Sequence, residues 1–256
     1  MSLKFTILGC GYSMGVPRID GQWGNCNPSN IKNFRTRCSA FIKKKSFSIL
    51  IDTSPDLKKQ LLSNKIKNIT HVLYTHKHAD QTHGINELRP FFWKNKKRID
   101  AYGNKETIRY LKESFNYCFN KVDHYKPMLK PNIIKSHFSL LNKRDKISFK
   151  AIKIKHGKIY SLGYIFQKIA YLSDCSSLSK KNLKDLLNLK YLFIDCLRFT
   201  PHPTHLNLQQ ALEVVKILRP KKTFLINLHS DLDFGILMKI LPKNVRPGYD
   251  GLTVEI

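Results

Sequence analysis

Leu3, Phe5 and Ile7 alternate with Lys4 and Thr6, the two-residue period of a half-buried strand, so residues 3–9 are read as one. The same period and β-branched content give a hairpin, 39–42 and 46–51, turning through Lys43, Lys44 and Lys45. Further strands are expected at 71–74, 133–141, 147–155, 167–173, 191–197 and 223–228. Helical spacing is expected at 55–63, 86–93, 105–119, 179–189 and 207–218, the last stopped by Pro220. Pro127 and Pro131 are read as opening the chain into a loop, and the polar run 142–145 as a turn. Strands mixed with helices, twice over and without repeat or linker, point to one α+β domain over 1–256 with two sheets face to face.

Four of these runs end in residues that bind metals. Residues 71–74 lead into His76, His78 and Asp80; 147–155 into His156; 167–173 into Asp174; and 223–228 into His229. In extended backbone alternate side chains share a side, so His76 and His78 point together. Imidazoles joined by carboxylates suit zinc, manganese or iron. Strand ends gathered along one sheet edge would assemble such a site from distant parts of the chain.

Composition narrows the classes. The 256 residues are 42% apolar, enough for a substantial core. No apolar run approaches the ~20 residues of a membrane span, and the first residues enter strand pattern directly, so a cytoplasmic protein without membrane contact is expected. The six cysteines have no paired spacing and read as free thiols. The formal charge of +27 would suit a polyanion, yet the lysines are spread through every segment beside abundant Ile and Asn. Solvated faces are the simpler account, with a field that draws in a small phosphorylated molecule. The glycines at 9, 11 and 15 fail as a dinucleotide loop because Val16-Pro17 follows where a helix should open; close backbone approach to the site is expected instead.

The run His76-Lys77-His78-Ala79-Asp80, with Gly84 after it, resembles the signature of the metallo-β-lactamase fold. His156, Asp174 and His229 stand in the order of that fold's later ligands. Leu8-Gly9-Cys10-Gly11, Gly15-Val16-Pro17-Arg18, Trp23-Gly24-Asn25-Cys26, Arg37-Cys38-Ser39, His83-Gly84-Ile85, Asp195-Cys196-Leu197-Arg198, His202-Pro203-Thr204-His205 and His229-Ser230-Asp231-Leu232-Asp233 resemble the branch of phosphoribosyl cyclic phosphate phosphodiesterases. The resemblance covers nearly the whole chain and implies a four-layer αββα sandwich.

It also implies one or two divalent ions, zinc or manganese, held first by His76, His78 and His156 with Asp174 as a bridge, and second by Asp80 and His229. Two departures fall on the second position: Gln81 replaces the signature's last histidine, with His83 two residues on, and Asn227 stands where some relatives have histidine. Such ions lower the pKa of bound water from ~15.7 toward ~7 and polarise a phosphoryl oxygen. His205 resembles the histidine that protonates the leaving group, with Asp80 as the other catalytic candidate. Arg198, Arg37 and His202 are candidates for holding phosphate, and Asp52 resembles a buried aspartate that braces the metal loop. The expectation is a metal-dependent phosphodiesterase on a small cyclic or diester phosphate. A tRNA 3′-processing nuclease, a glyoxalase-type thioester hydrolase and a catalytically weakened nucleic-acid-binding relative are the other readings, and a homodimer stays open.

Overall fold

The computed structural model describes residues 2–142 and 145–256. Lys143 and Arg144, the centre of the expected turn at 142–145, lie outside the described residues. In chain order the strands are β1 (Lys4–Gly9), β2 (Ser39–Lys44), β3 (Phe47–Ile51), β4 (His71–Leu73), β5 (Ile99–Gly103), β6 (Leu129–Ile133), β7 (His137–Asn142), β8 (Asp145–His156), β9 (Ile159–Phe166), β10 (Ile169–Leu172), β11 (Tyr191–Asp195), β12 (Lys222–Ile226), β13 (Val245–Pro247) and β14 (Thr253–Glu255). Among the described residues they form two seven-stranded sheets, ordered β14-β1-β2-β3-β4-β5-β6 and β13-β12-β11-β10-β9-β8-β7.

Period-two alternation decides how the sheets stack. In β3, Phe47, Ile49 and Ile51 face the second sheet while Leu50 faces outward; in β11, Phe193 faces inward while Leu192 and Ile194 face outward. The inward residues form one apolar layer, with Phe5 and Phe193 ring centroids 4.4 Å apart and Phe193 and Phe224 stacked at 5.2 Å. Leu57, Leu61 and Leu111 of helices Leu57–Ser63 and Lys105–Ser114 cover the outer face of the first sheet. Ala211, Val215 and Leu218 of helix Leu208–Leu218, with Leu237 of helix Phe234–Ile240, cover the second. Three apolar interfaces between four layers make the expected αββα sandwich.

The departures have local causes. Pro131 lies within β6, where a loop was expected; β6 is the last strand of its sheet and pairs only with β5, so its missing N–H removes no needed bond. The helix expected over 105–119 divides at Phe115, whose φ of −128° and ψ of 47° interrupt the ladder. The run at 86–93 becomes a 3₁₀ turn, Ile85–Leu88, followed by helix Arg89–Asn95, and that at 179–189 shortens to Lys180–Asp185 under a Ser179 capping box. All six cysteines are buried and unbonded. No described helix is long and apolar enough to cross a membrane.

Candidate metal centre

The loop after β4 is braced from below. Asp52, at the end of β3 with φ +60°, accepts the Thr75 backbone N–H at 2.7 Å and its hydroxyl at 2.8 Å. With its proton given to Asp52, the Thr75 oxygen accepts from His76 Nδ1 at 3.1 Å, which leaves the lone pair of His76 on Nε2. That Nε2 faces Nδ1 of His78 at 2.9 Å. Gly84 closes the loop against the 53–54 backbone: a Cβ there would meet the Ser54 carbonyl oxygen at 2.0 Å.

The second sheet supplies the rest. His156, ending β8, donates from Nδ1 to the Thr204 carbonyl at 2.7 Å, so its Nε2 faces the site. His76, His78 and His156 offer donor atoms all within 4.8 Å of one another, and so do His156, Asp174 and His205. Burial lowers the pKa of His76 to about 3. Burial alone would raise Asp174, but the His76, His205 and His156 rings hold it below its ordinary value. Burial and the neighbouring Asp174 carboxylate push Asp80 up to about 6. Converging imidazole lone pairs beside a carboxylate repel one another unless a cation lies between them, and zinc, manganese or iron suits this donor set. The residues therefore fit a divalent metal.

Beyond the imidazole cluster is a proton-holding pair. Asp195, wholly buried at the end of β11, meets His205 Nδ1 at 2.9 Å. Its oxygens also accept the Cys175 N–H at 2.9 Å and the Asn227 amide at 3.1 Å. Burial would lower His205, but the Asp195 carboxylate outweighs it and the ring is pushed up to about 9. The His156 and His205 centroids are 4.7 Å apart. An open basin of about 1040 Å³ joins these groups, with Tyr12, Ser13 and Met14 of the glycine loop on one wall and Lys155, Lys158, Arg198 and His202 among its other lining residues. The loop reaches it because Gly11 bridges to both Arg37 and Leu228.

The other sequence candidates take up varied surroundings. Gln81 is buried, its Nε2 3.0 Å from Asp80 Oδ2 and 3.4 Å from Asp174 Oδ2. His83 turns away to the Tyr110 hydroxyl at 3.1 Å. The Asn227 amide nitrogen lies 3.2 Å from the Ser173 carbonyl, 3.1 Å from Asp195 Oδ1 and 3.0 Å from His205 Nδ1, so it sits against the proton pair. His229 lines the basin but sits against Asp231 at 3.1 Å and Tyr12 at 4.4 Å between centroids, outside both donor groups. Arg37 pairs with Asp56 at 3.1 Å and donates to the carbonyl of Ser13, on the basin wall, at 3.0 Å, without itself lining the basin. Arg198 lines the basin and donates to the carbonyls of Thr200 and Pro201 at 3.3 and 2.8 Å. His202 stands 5.3 Å from His205 between centroids. Asp195, Thr204, Lys155 and Lys158 had no assigned role in the sequence; a carboxylate closing a strand, the signal that singled out Asp174, also marks Asp195.

Residues 48–227 match the β-lactamase superfamily domain. A solved diphosphatase of the PhnP family is 32% identical, with 100% of this chain and 98% of that one covered at a TM-score of 0.91. Zinc-bound PqqB from Methylobacterium extorquens shares the fold at 13% identity and a TM-score of 0.80, over 99% and 100% of the two chains. A curated Porphyromonas gingivalis octanoyltransferase is 29% identical over 99% of this chain, but the chain spans only 52% of that protein. With the sandwich, the imidazole cluster and these similarities in hand, the chain belongs to the β-lactamase superfamily as a metallo-β-lactamase-fold hydrolase of the PhnP family.

Proposed function

We propose that the protein is a metal-dependent phosphodiesterase that opens a small cyclic or diester phosphate, with zinc or manganese as its ion. The observation that carries the reading is the placement of a carboxylate-held imidazole, His205, beside a cluster of metal-ligating imidazoles in one basin. His76, His78 and His156 would hold the ion, with Asp174 beside them. When bound, a divalent ion supplies Lewis acidity toward a phosphoryl oxygen and a nucleophile at neutral pH.

The chain's own residues supply the remainder. His205 holds a proton on the ring edge away from Asp195 and gives it to the departing alkoxide. Asp195 keeps the ring charged and oriented, and Asn227 holds Asp195. Lys155, Lys158 and Arg198 surround the basin with positive charge, favouring an anionic substrate. Arg198 uses two of its N–H groups on its own loop and keeps others for a phosphate. The diphosphatase relative supports phosphate ester chemistry. The octanoyltransferase name describes a protein about twice as long, and acyl transfer is not carried over to this chain.

The test is a substrate panel with metal-loaded protein: an aryl phosphodiester, a ribose cyclic phosphate, a tRNA precursor and an aryl octanoate. Chelator-sensitive turnover of the small phosphodiesters, lost in His78→Ala, is the expected result. Loaded protein that leaves both small phosphodiesters intact overturns the reading, whatever it does to the tRNA precursor.

A further inference from the structure

Resting on the metal-dependent reading above, we propose that Gln81 makes this a one-ion centre: its amide links the carboxylates of Asp80 and Asp174, where a second cation would otherwise join them. Gln81 has no exposed surface, and its backbone is fixed on both sides. Its N–H donates to the His78 carbonyl at 3.1 Å, and its own carbonyl accepts from Thr53 at 2.8 Å. From that backbone the side chain reaches between the two acids. Nε2 carries two protons, one for Asp80 Oδ2 at 3.0 Å and one for Asp174 Oδ2 at 3.4 Å.

The other end of the same amide reports the choice. Gln81 Oε1 is buried without a hydrogen-bond partner, which costs about 1 to 3 kcal/mol for such a group. The orientation is sustained only if the nitrogen's bonds to the acids outweigh that loss. A cation between the carboxylates would reverse the preference, because it would repel the protons of Nε2 and draw Oε1 in as a ligand. The donor sets agree: among the described residues, Asp80 joins neither three-residue group of converging ligand atoms. One divalent ion is also balanced in charge by Asp80 and Asp174. A second would leave an excess of positive charge on this wall of the basin.

The experiment counts metal. Protein is stripped with chelator, reloaded with excess zinc and in parallel with manganese, freed of loose ion by gel filtration, and measured by plasma mass spectrometry. Wild type is expected to retain one ion per chain, and Gln81→His and Gln81→Glu, each of which adds a ligand, two. Gln81→Leu removes the link, leaves the two carboxylates facing each other without a donor between them, and is expected to lower the melting temperature of the stripped protein; an unchanged melting temperature would show that the amide does not join them. Two ions retained by wild type, or one by both folded ligand-adding variants, overturns the proposal; if one of these variants fails to fold, the other and the wild-type count decide. The count is independent of turnover. One ion without phosphodiester cleavage overturns the functional reading and leaves this inference standing, two ions with cleavage do the reverse, and no retained ion overturns both.

Discussion

His156 and His205 lie 4.7 Å apart between ring centroids, and in the proposed function they would do opposite work, set by what each Nδ1 meets. His156 donates to the neutral carbonyl of Thr204, the residue just before His205, and presents a lone pair on Nε2. His205 meets the buried carboxylate of Asp195, and a negative charge there holds a proton on the far edge instead. On the proposed reading the same side chain would serve as a ligand on one side of the basin and as an acid on the other, and the difference is one partner atom. The two sides can therefore be broken separately.

The largest effect is expected on the ligand side. His76→Ala removes one of three converging imidazoles, so the ion and its several kcal/mol of transition-state stabilisation should go together, a loss of about 10³-fold or more in kcat. Circular dichroism should remain that of the folded protein. Activity like wild type in a folded variant whose metal content is unchanged would refute the ligand assignment.

On the acid side His205→Ala should leave the metal content intact and lower kcat by about 10²- to 10⁴-fold. The loss should depend on the leaving group, large for an alkyl alcohol and small for a nitrophenol that departs without a proton. Equal losses for both would mean that the ring positions the substrate rather than protonating it.

Asp195→Asn tests the partner atom with no change of shape, at an expected cost of about 10- to 100-fold. His205 must be protonated to act, so activity is present below its pKa and lost as pH rises through it. That loss belongs near pH 9 in wild type and should move down toward the ordinary histidine value, about 6.5, in the variant. A descending limb that stays in place would show that Asp195 does not set the proton affinity of this ring.

How much of this was legible in the sequence follows from which interactions are local. His76, His78, His156 and Asp174 could be seen because each ends a run with strand period, and strand ends are local facts. The layers could be seen for the same reason, from alternation such as that of Phe47, Ile49 and Ile51. Strand β9 escaped: its inward and outward positions are both largely apolar, and Gly163 sits in its middle, so it shows little alternation. The three-residue strands β13 and β14 are too short to show a period at all. The fates of Arg37, His229 and Asn227 are pairwise facts. Each depends on a neighbour, Asp56, Asp231 or Asp195, and only the pairing of Arg37 with Asp56 takes it away from the basin. Asp195 was visible as a strand-end acid, but its role appears only when the loop carrying His205 folds back over it.

The smallest expected effect concerns the rim that both sides share. Lys155, Lys158 and Arg198 line the basin within a chain of formal charge +27, and the field of such a surface raises the local concentration of an anionic substrate without contacting it at many points. A small phosphodiester brings one or two phosphates, so rising salt should lower kcat/KM by a few-fold and leave kcat nearly unchanged, since screening weakens approach more than chemistry. A polynucleotide gripped along its backbone would respond differently: each neutralised phosphate adds about 0.7 to 0.9 to the log-log salt slope, and several together give a steep loss. Lys158→Ala should flatten the shallow slope a little further while sparing metal content and kcat. A steep slope with a tRNA precursor, joined to indifference toward small esters, would make the basic rim the principal binding surface and move the centre's work from small molecules to nucleic acid.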